Sequence, residues 1–475
     1  MTPRRTALLV IAVLAAAPAL ASAAEMKSTP AVAASFAQTL LPDAAGRAGF
    51  VEPRVTVAPD GAYVATTSAS GGGEQIVFRS TDGGRTWPRT AGTPTQRSAT
   101  PDVEVVTTRT GRLVTVELEG VDQALALQTS YSDDNGKTWQ PGTSLGSPAD
   151  TDRPWLAVGP DDPATKQPRV YLTWHNLASG LAVHEILVAT STDGGATFGA
   201  PVPVTVPGEQ AFADLQCGDG YPSSLGVDPV SGEVHVAFGT RTSVAGGCGA
   251  QPVQFNIVTP TRVWVASSPD GRSWTQGLAV DRSSTPGNTL PAIFSPLSLD
   301  AAGNAYVVFT ESTTPDLVGA VRYVWSPPGA RDWSDPVTVA RPAGGAVVPH
   351  VQAGDPGRVA FTWYGSAARN EDAPWHLFAA VTPDARVAKP SLAVRPVSPT
   401  VLLRGRAADL VGQCTSGNPA SGIVNGLSCG RAPDNYGTAV DRQGRLVLTY
   451  PGHEVDDLGT YVAVQRSGTL LRSRH

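Results

Sequence analysis

Polar and aromatic residues with binding or catalytic chemistry recur at the starts of short apolar runs in this 475-residue chain. Glu52 and Arg54 flank the proline of "EPRVTV". Asp102 follows Pro101 in "PDVEVV", and Asp152, Arg153 and Trp155 surround Pro154 in "DRPWLAV". Tyr221, His350, Asn435 and Tyr436 hold the same place in later runs. A second set stands at or after the ends of other runs: Glu117, His175, Arg241, Glu311, Tyr364, His453 and Glu454. Carboxylates, guanidinium forks and aromatic rings gathered at one opening can ion-pair with, hydrogen-bond and stack against a polar ligand. Each residue alone also has a plain structural reading, with Asp152 and Arg153 as a local ion pair and Trp155 as core. Convergence on one mouth would favour function, so the elements that position these residues decide the matter.

Those elements repeat. A proline, an apolar run, a Gly turn and a second apolar run recur seven times, from "EPRVTVAPDGAYVATTS" to "NYGTAVDRQGRLVLTYPG", where Gly437 replaces the proline. The spacing of about 50–90 residues indicates a solenoid or a propeller. Each unit reads as two strands joined by a tight turn, a third strand such as "EQIVFRS", and a short fourth such as "GAPVPVTV". Four antiparallel strands per unit make a propeller blade. Charged residues are only 16%, Gly and Pro together number 91, and Met is nearly absent, which leans the same way. The expected fold is all-β, a β-propeller of four-stranded antiparallel blades. Seven blades are favoured over six, in one domain spanning 50–475. The segment 25–49 is available for ring closure.

An octet joins the third and fourth strands: "STDGGRTW" (80–87), "SDDNGKTW" (132–139) and "STDGGATF" (191–198). Its Asp can accept hydrogen bonds from its own turn. Its Gly can take positive φ, and its final ring can pack between sheets. Later copies decay, as in "SPDGRSW" and "SPPGARDW", which suits a scaffold. The pattern resembles the Asp box, or BNR repeat, of the sialidase superfamily of β-propellers. That resemblance implies Asp boxes on the face away from the ligand site. For an active sialidase it implies three arginines clamping a carboxylate, a Glu-activated Tyr nucleophile and an Asp acid/base. Arg54 in "FVEPRVTV" stands where the family has its first arginine, although the proline precedes it here. Arg153 and Arg241 would complete the clamp, with Asp102 and Tyr436 as the further catalytic candidates. The interval "VATTSASGGGEQIVF", where the family usually carries an Asp and often a second Arg, has neither.

Turns between the first and second strands are tight, as are the octets, and both fall on one face. Long insertions such as 207–220, 240–259 and 403–433 fall on the other, where function concentrates on a rigid scaffold. The expected ligand site is the axial opening of that face. Glu52, Asp152, Trp155, His175, Tyr221, His350 and Tyr364 are its binding candidates, with Trp174 and Trp375 as further stacking rings. Cys217, Cys248, Cys414 and Cys429 lie in the same loops. Two disulfides are expected, with neighbour pairing (217–248, 414–429) favoured among three connectivities. Residues 1–24 read as a secretory signal: Arg4 and Arg5, a short apolar run, then "ASA". Its removal leaves 33 basic against 41 acidic residues, a net charge of −8. No basic stripe points to nucleic acid, no later apolar run is long enough to span a bilayer, and no Cys/His spacing suits a metal. The chain is expected to be a secreted or periplasmic monomer that recognises a glycan or an extracellular protein and needs no cofactor. The alternative is an exo-sialidase-type glycoside hydrolase.

Overall fold

A computed structural model describes residues 29–42, 52–68, 75–94, 98–121, 124–146, 151–176, 184–217, 220–244, 247–248, 260–284, 290, 294–313, 318–410, 435–452 and 459–473. The expected signal, Cys414, Cys429, His453 and Glu454 lie outside the described residues. Seven antiparallel sheets form a ring, so the protein is a seven-bladed β-propeller with almost no helix. The inner strands are Arg54–Val57, Ser98–Thr107, Thr151–Asp161, Pro222–Val227, Leu297–Leu299, Gly345–Ala353 and Gly437–Val440. Each touches the next round the axis, and the last touches the first. Six blades carry four paired strands. In the first blade the fourth position is a single bridge, Phe78 to Arg89. The seventh blade takes its outer strand, Ser35–Leu40, from the other end of the chain; it pairs with Gly459–Ser467.

The apolar pattern explains the ring. Second strands such as Val234–Thr240 and Leu446–Gly452 are buried along their whole length, because both faces of a blade are covered by neighbours. Among the described residues, the buried apolar side chains form seven clusters, each shared by two adjacent blades.

The octets brace those interfaces. In the second blade Ser132 Oγ donates to Asp134 Oδ1 and accepts from the Gly136 N–H at 2.9 Å. The amides of Lys137 and Thr138 donate to Asp134 Oδ1, and Thr138 Oγ1 donates to Oδ2 at 2.6 Å. The octets beginning at Ser80 and Ser191 repeat this scheme. Gly195 has φ 86°, and a Cβ there would lie 2.4 Å from Val114 of the preceding blade. Trp87, Trp139 and Phe198 likewise pack into the interface with the preceding blade. Slight burial works against the charge on Asp134, but the bonds from Thr138, Ser132 and Lys137 outweigh it and hold its carboxyl at about 2. A depressed folded value means stability present above the unfolded value near 4 and lost as the pH falls towards 2. Asp134→Ala is therefore expected to lower the melting temperature by about 1–2 °C at pH 6, on the scale of a lost helix cap. The difference should fade below about pH 4 in a calorimetric pH series.

One inserted element is locked by charge. The helix Gln210–Leu215 carries Asp214, fully buried, which accepts from Arg262 Nη1 at 2.9 Å, Trp264 Nε1 at 3.2 Å and the Ser243 amide at 2.8 Å. Cys217, just after the helix, is disulfide-bonded, and its partner's side chain lies outside the described set.

Candidate functional site

The same backbone recurs just before or within the first four residues of three inner strands. Glu52, Arg153 and Val348 have φ of 58°, 58° and 49°, and each directly precedes a proline. Left-handed backbone is rare for such residues, above all for β-branched Val, and a residue before proline is normally extended. Such strain persists where the surroundings over-determine it, and functional sites are its usual place. In the first and third blades the turn brings the side chains on both sides of the proline to one hollow. Glu52 and Arg54, then Arg153 and Trp155, line it with Asp102, Phe294 and Asn435.

Arg153 is the centre of this hollow. Its Nη1 donates to Glu52 Oε1 at 2.9 Å and to Asp102 Oδ1 at 3.1 Å, so three consecutive blades meet at one nitrogen. Its Nε lies 3.4 Å from Asp152 Oδ2, which is also 3.8 Å from His175 Nε2. The guanidinium rests over Phe294 and Tyr221, at 5.5 and 5.9 Å from the ring centres. Tyr221 meets His175 edge-on at 4.4 Å. Burial alone would raise the Asp152 carboxyl, but Arg153 and then His175 outweigh it and hold the group below its ordinary value. All four charged groups are largely buried, with side-chain exposures of 16% for Arg153, 14% for Asp152, 8% for Asp102 and 6% for Glu52.

Arg54 makes a second pair in the same hollow. Its Nε donates to Glu104 Oε2 at 3.1 Å, and its guanidinium covers the Trp155 ring at 5.0 Å. Burial raises the Glu104 carboxyl above its ordinary value despite Arg54. His350 lies near enough to feel Arg54; burial first and that charge second push its imidazole down to about 3, so it is neutral at physiological pH. The hollow above these groups is narrow and does not admit a water molecule.

Of the residues singled out in the sequence, Glu52, Arg54, Asp102, Asp152, Arg153, Trp155, His175, Tyr221 and Asn435 assemble here. Others do not. Tyr436 is fully buried, its hydroxyl shared with Thr362 Oγ1 at 2.7 Å and its acidity suppressed by burial; no carboxylate activates it among its described contacts. Tyr364 is equally buried against it and donates to the Pro451 carbonyl. Both belong to the core between the sixth and seventh blades, because inner-strand and second-strand side chains there point at the neighbouring blade. Arg241 follows the second strand of the fourth blade and does not line the hollow. Trp174 and Trp375 are core as well, at 3% and 0% exposure, and Trp155, which lines the hollow, is 6% exposed with Arg54 over its ring, so none of the three offers an open stacking platform. Glu117 and Glu311 are taken up by structural contacts, Glu117 with Thr93 and Glu311 with Arg282 and Arg322. Sequence reasoning missed Glu104 and Phe294. Glu104 was detectable, since it stands two residues from Asp102 on one strand and shares its face. No local pattern marks Phe294. Among the described residues no His/Cys/Asp/Glu group could hold a metal ion.

No protein-family model matches the chain, and no curated protein does. Solved structures match in fold. An ulvan lyase, a polysaccharide lyase bound to a saccharide of GlcA and Rha3S, aligns at 11% identity over 93% of this chain and 98% of its own, with a TM-score of 0.48. An α-L-arabinanase from Penicillium chrysogenum, complexed with arabinobiose, aligns at 11% identity over 94% and 99%, TM-score 0.43. An intramolecular trans-sialidase from Ruminococcus gnavus aligns at 13% over 89% and 96%, TM-score 0.40. At these identities the likeness is one of overall fold and transfers no residue roles. The seven-bladed ring is shown by the chain's own sheet order.

Proposed function

We propose that this chain is an exported glycan-recognising propeller whose ligand rests on the polar floor formed by Glu52, Asp102 and Arg153. The observation that carries this reading is the meeting of three blades at Arg153 Nη1 beneath strained strand starts. Buried charges of this kind are costly, and a cheaper apolar floor would hold the blades equally well. The segment that reads as a secretory signal supports export, and the octets support membership of the Asp-box propellers. Ligand hydroxyls suit the floor, because carboxylates accept and guanidiniums donate. The narrow hollow favours a sugar lying over the floor rather than sunk within it.

A second reading is hydrolysis by the carboxylate pair. Glu52 Oε1 and Asp102 Oδ1 bond the same nitrogen, so these oxygens lie no more than about 6 Å apart, too close for the inverting arrangement of about 6.5–9.5 Å and compatible only with the retaining one. The sialidase form of this reading has less support, since Arg241 is elsewhere and Tyr436 is core.

Binding of neutral and acidic oligosaccharides to the whole protein tests the proposal, alongside fluorogenic glycosides that include a sialoside. Glu52→Gln and Asp102→Asn are each expected to weaken binding about tenfold or more, the scale of a lost charged hydrogen bond. Tyr436→Phe should leave it unchanged. Retention of no glycan, or equal binding by the wild type and both carboxylate variants, would overturn the reading. Glycoside release that survives both carboxylate variants would exclude the pair as its catalyst.

A further inference from the structure

The face opposite the mouth carries a roomier cavity, of about 450 Å³. It opens among the tight turns of the first, second and seventh blades and is lined by Thr56, Thr107, Gln352 and three arginines, Arg109, Arg442 and Arg472. No acidic side chain lines it. The carboxylates on the adjoining turns are directed elsewhere. Asp60 bonds Arg79 and the Ala62 amide, Asp441 is buried against Tyr63 and Arg445, and Asp355, beside Arg472, accepts from the Ser473 amide at 2.6 Å. Arg109 pairs with Asp161 at 2.6 Å, but both groups are more than half exposed, and such a pair is weak and easily exchanged. Arg442 and Arg472 have no carboxylate within ion-pairing distance among the described residues. They are held side by side, because the Gly444 turn packs on the Arg472 backbone and the Leu471 amide donates to the Gly444 carbonyl. Thr56 and Thr107 bond each other through their hydroxyls at 2.8 Å, and the Gln352 amide donates to the Ala353 carbonyl at 3.1 Å, which leaves one hydroxyl proton and one amide proton as neutral donors.

We infer that this cavity is a second ligand site, selective for a small anion of monosaccharide size that carries a carboxylate, sulfate or phosphate group. Arg442 and Arg472 lie side by side with no carboxylate paired to either among the described residues, beside an Arg109 held only by an exposed pair, and like charges so placed repel one another. An oxyanion relieves that repulsion and accepts their forks bidentately. The volume lies within the range of small-molecule sites. The site is separate from the mouth and shares no lining residue with it; Thr438 stands between them, donating to Gln352 Oε1 at 3.0 Å and lying 3.4 Å from His350 Nδ1.

Thermal-shift and calorimetric titrations at low salt test this with inorganic sulfate, inorganic phosphate, glucuronate and glucose. Saturable stabilisation by at least one anion, and none by glucose, is expected; sulfate or phosphate acting alone would assign a free oxyanion, and glucuronate a sugar acid. Arg442→Gln and Arg472→Gln should each weaken binding about tenfold, and the double variant should abolish it. Both side chains are exposed, so the variants should melt with the wild type in anion-free buffer. Glu52→Gln, at the mouth, should not alter the anion affinity. Equal stabilisation by glucose, or anion binding that survives the double substitution, would overturn the inference. So would the absence of a response to all three anions.

Discussion

Arg153→Met is expected to melt about 3–6 °C below the wild type at pH 7, with the gap closing as the pH falls towards 4. Methionine keeps most of the volume and the same strained backbone, so the difference reports the charge. Without the guanidinium, Glu52, Asp102 and Asp152 remain together in a largely buried hollow. Breaking a buried pair from one side costs about 3–5 kcal/mol, since the uncompensated charges remain. The sign of the pH effect follows from Asp152. In the wild type Arg153 and His175 hold its carboxyl low, so the cluster contributes stability above an unfolded value near 4 and loses it as the pH falls. In the variant the burial remains and its chief opponent is gone. The folded value then rises above the unfolded one, and stability missing at neutral pH returns as the carboxyls protonate. Arg153→Lys should fall between the two, keeping the charge and losing the fork that reaches three blades. A melting curve for Arg153→Met that matches the wild type from pH 4 to 8 would mean that the cluster is solvated and that the floor proposed for ligand binding is not preorganised.

The ring was legible because its signals are local. The Ser-x-Asp-x-Gly-x-Thr octet specifies its own turn through bonds between residues two to four apart, as Ser80, Asp82, Gly84 and Thr86 make them. The proline-led strand starts were equally local, and they led to Glu52, Arg54, Asp102 and Arg153. Partners across blades were not legible. Arg153 meets Glu52 and Asp102 from 101 and 51 residues away, and no spacing rule connects them. The aromatic residues show a different limit. Alternation separates core from surface only when one face of a strand is wet. In a blade interior both faces are dry, so Tyr364, Trp375 and Tyr436 carry nothing in their spacing that distinguishes the mouth from the interface. Their burial follows from the neighbouring blade, which the local sequence does not encode.

Removal of residues 1–42 is expected to abolish the cooperatively folded protein, whereas removal of 1–28 alone should leave the melting temperature within about 2 °C. The strand Ser35–Leu40 completes the seventh blade, with Phe36 opposite Gln465 and Leu40 opposite Tyr461. The residues around it reach both adjacent interfaces. Ala34 is buried in the cluster between the sixth and seventh blades, and Leu41 in the one between the seventh and first. Thr39 Oγ1 donates to the Gly84 carbonyl in the first octet, and Gln38 accepts from Ser398 of the sixth blade. One short segment therefore ties three blades. Without it, Gly459–Ser467 becomes a bare edge that offers its unpaired amides and carbonyls to other chains, and the ring loses the strand that joins its two ends. The loss should appear as aggregation on expression and a broad, non-cooperative melt. A peptide spanning 29–42, added in trans during refolding, should restore part of the native signal, because the edge it fills is a preformed strand acceptor. A truncated protein that stays monomeric and melts with the wild type would show that seven inner-strand contacts hold the ring unaided. In that case closure would rest on the axis, where Arg54 and Gly437 lie in close backbone contact between the first and seventh blades.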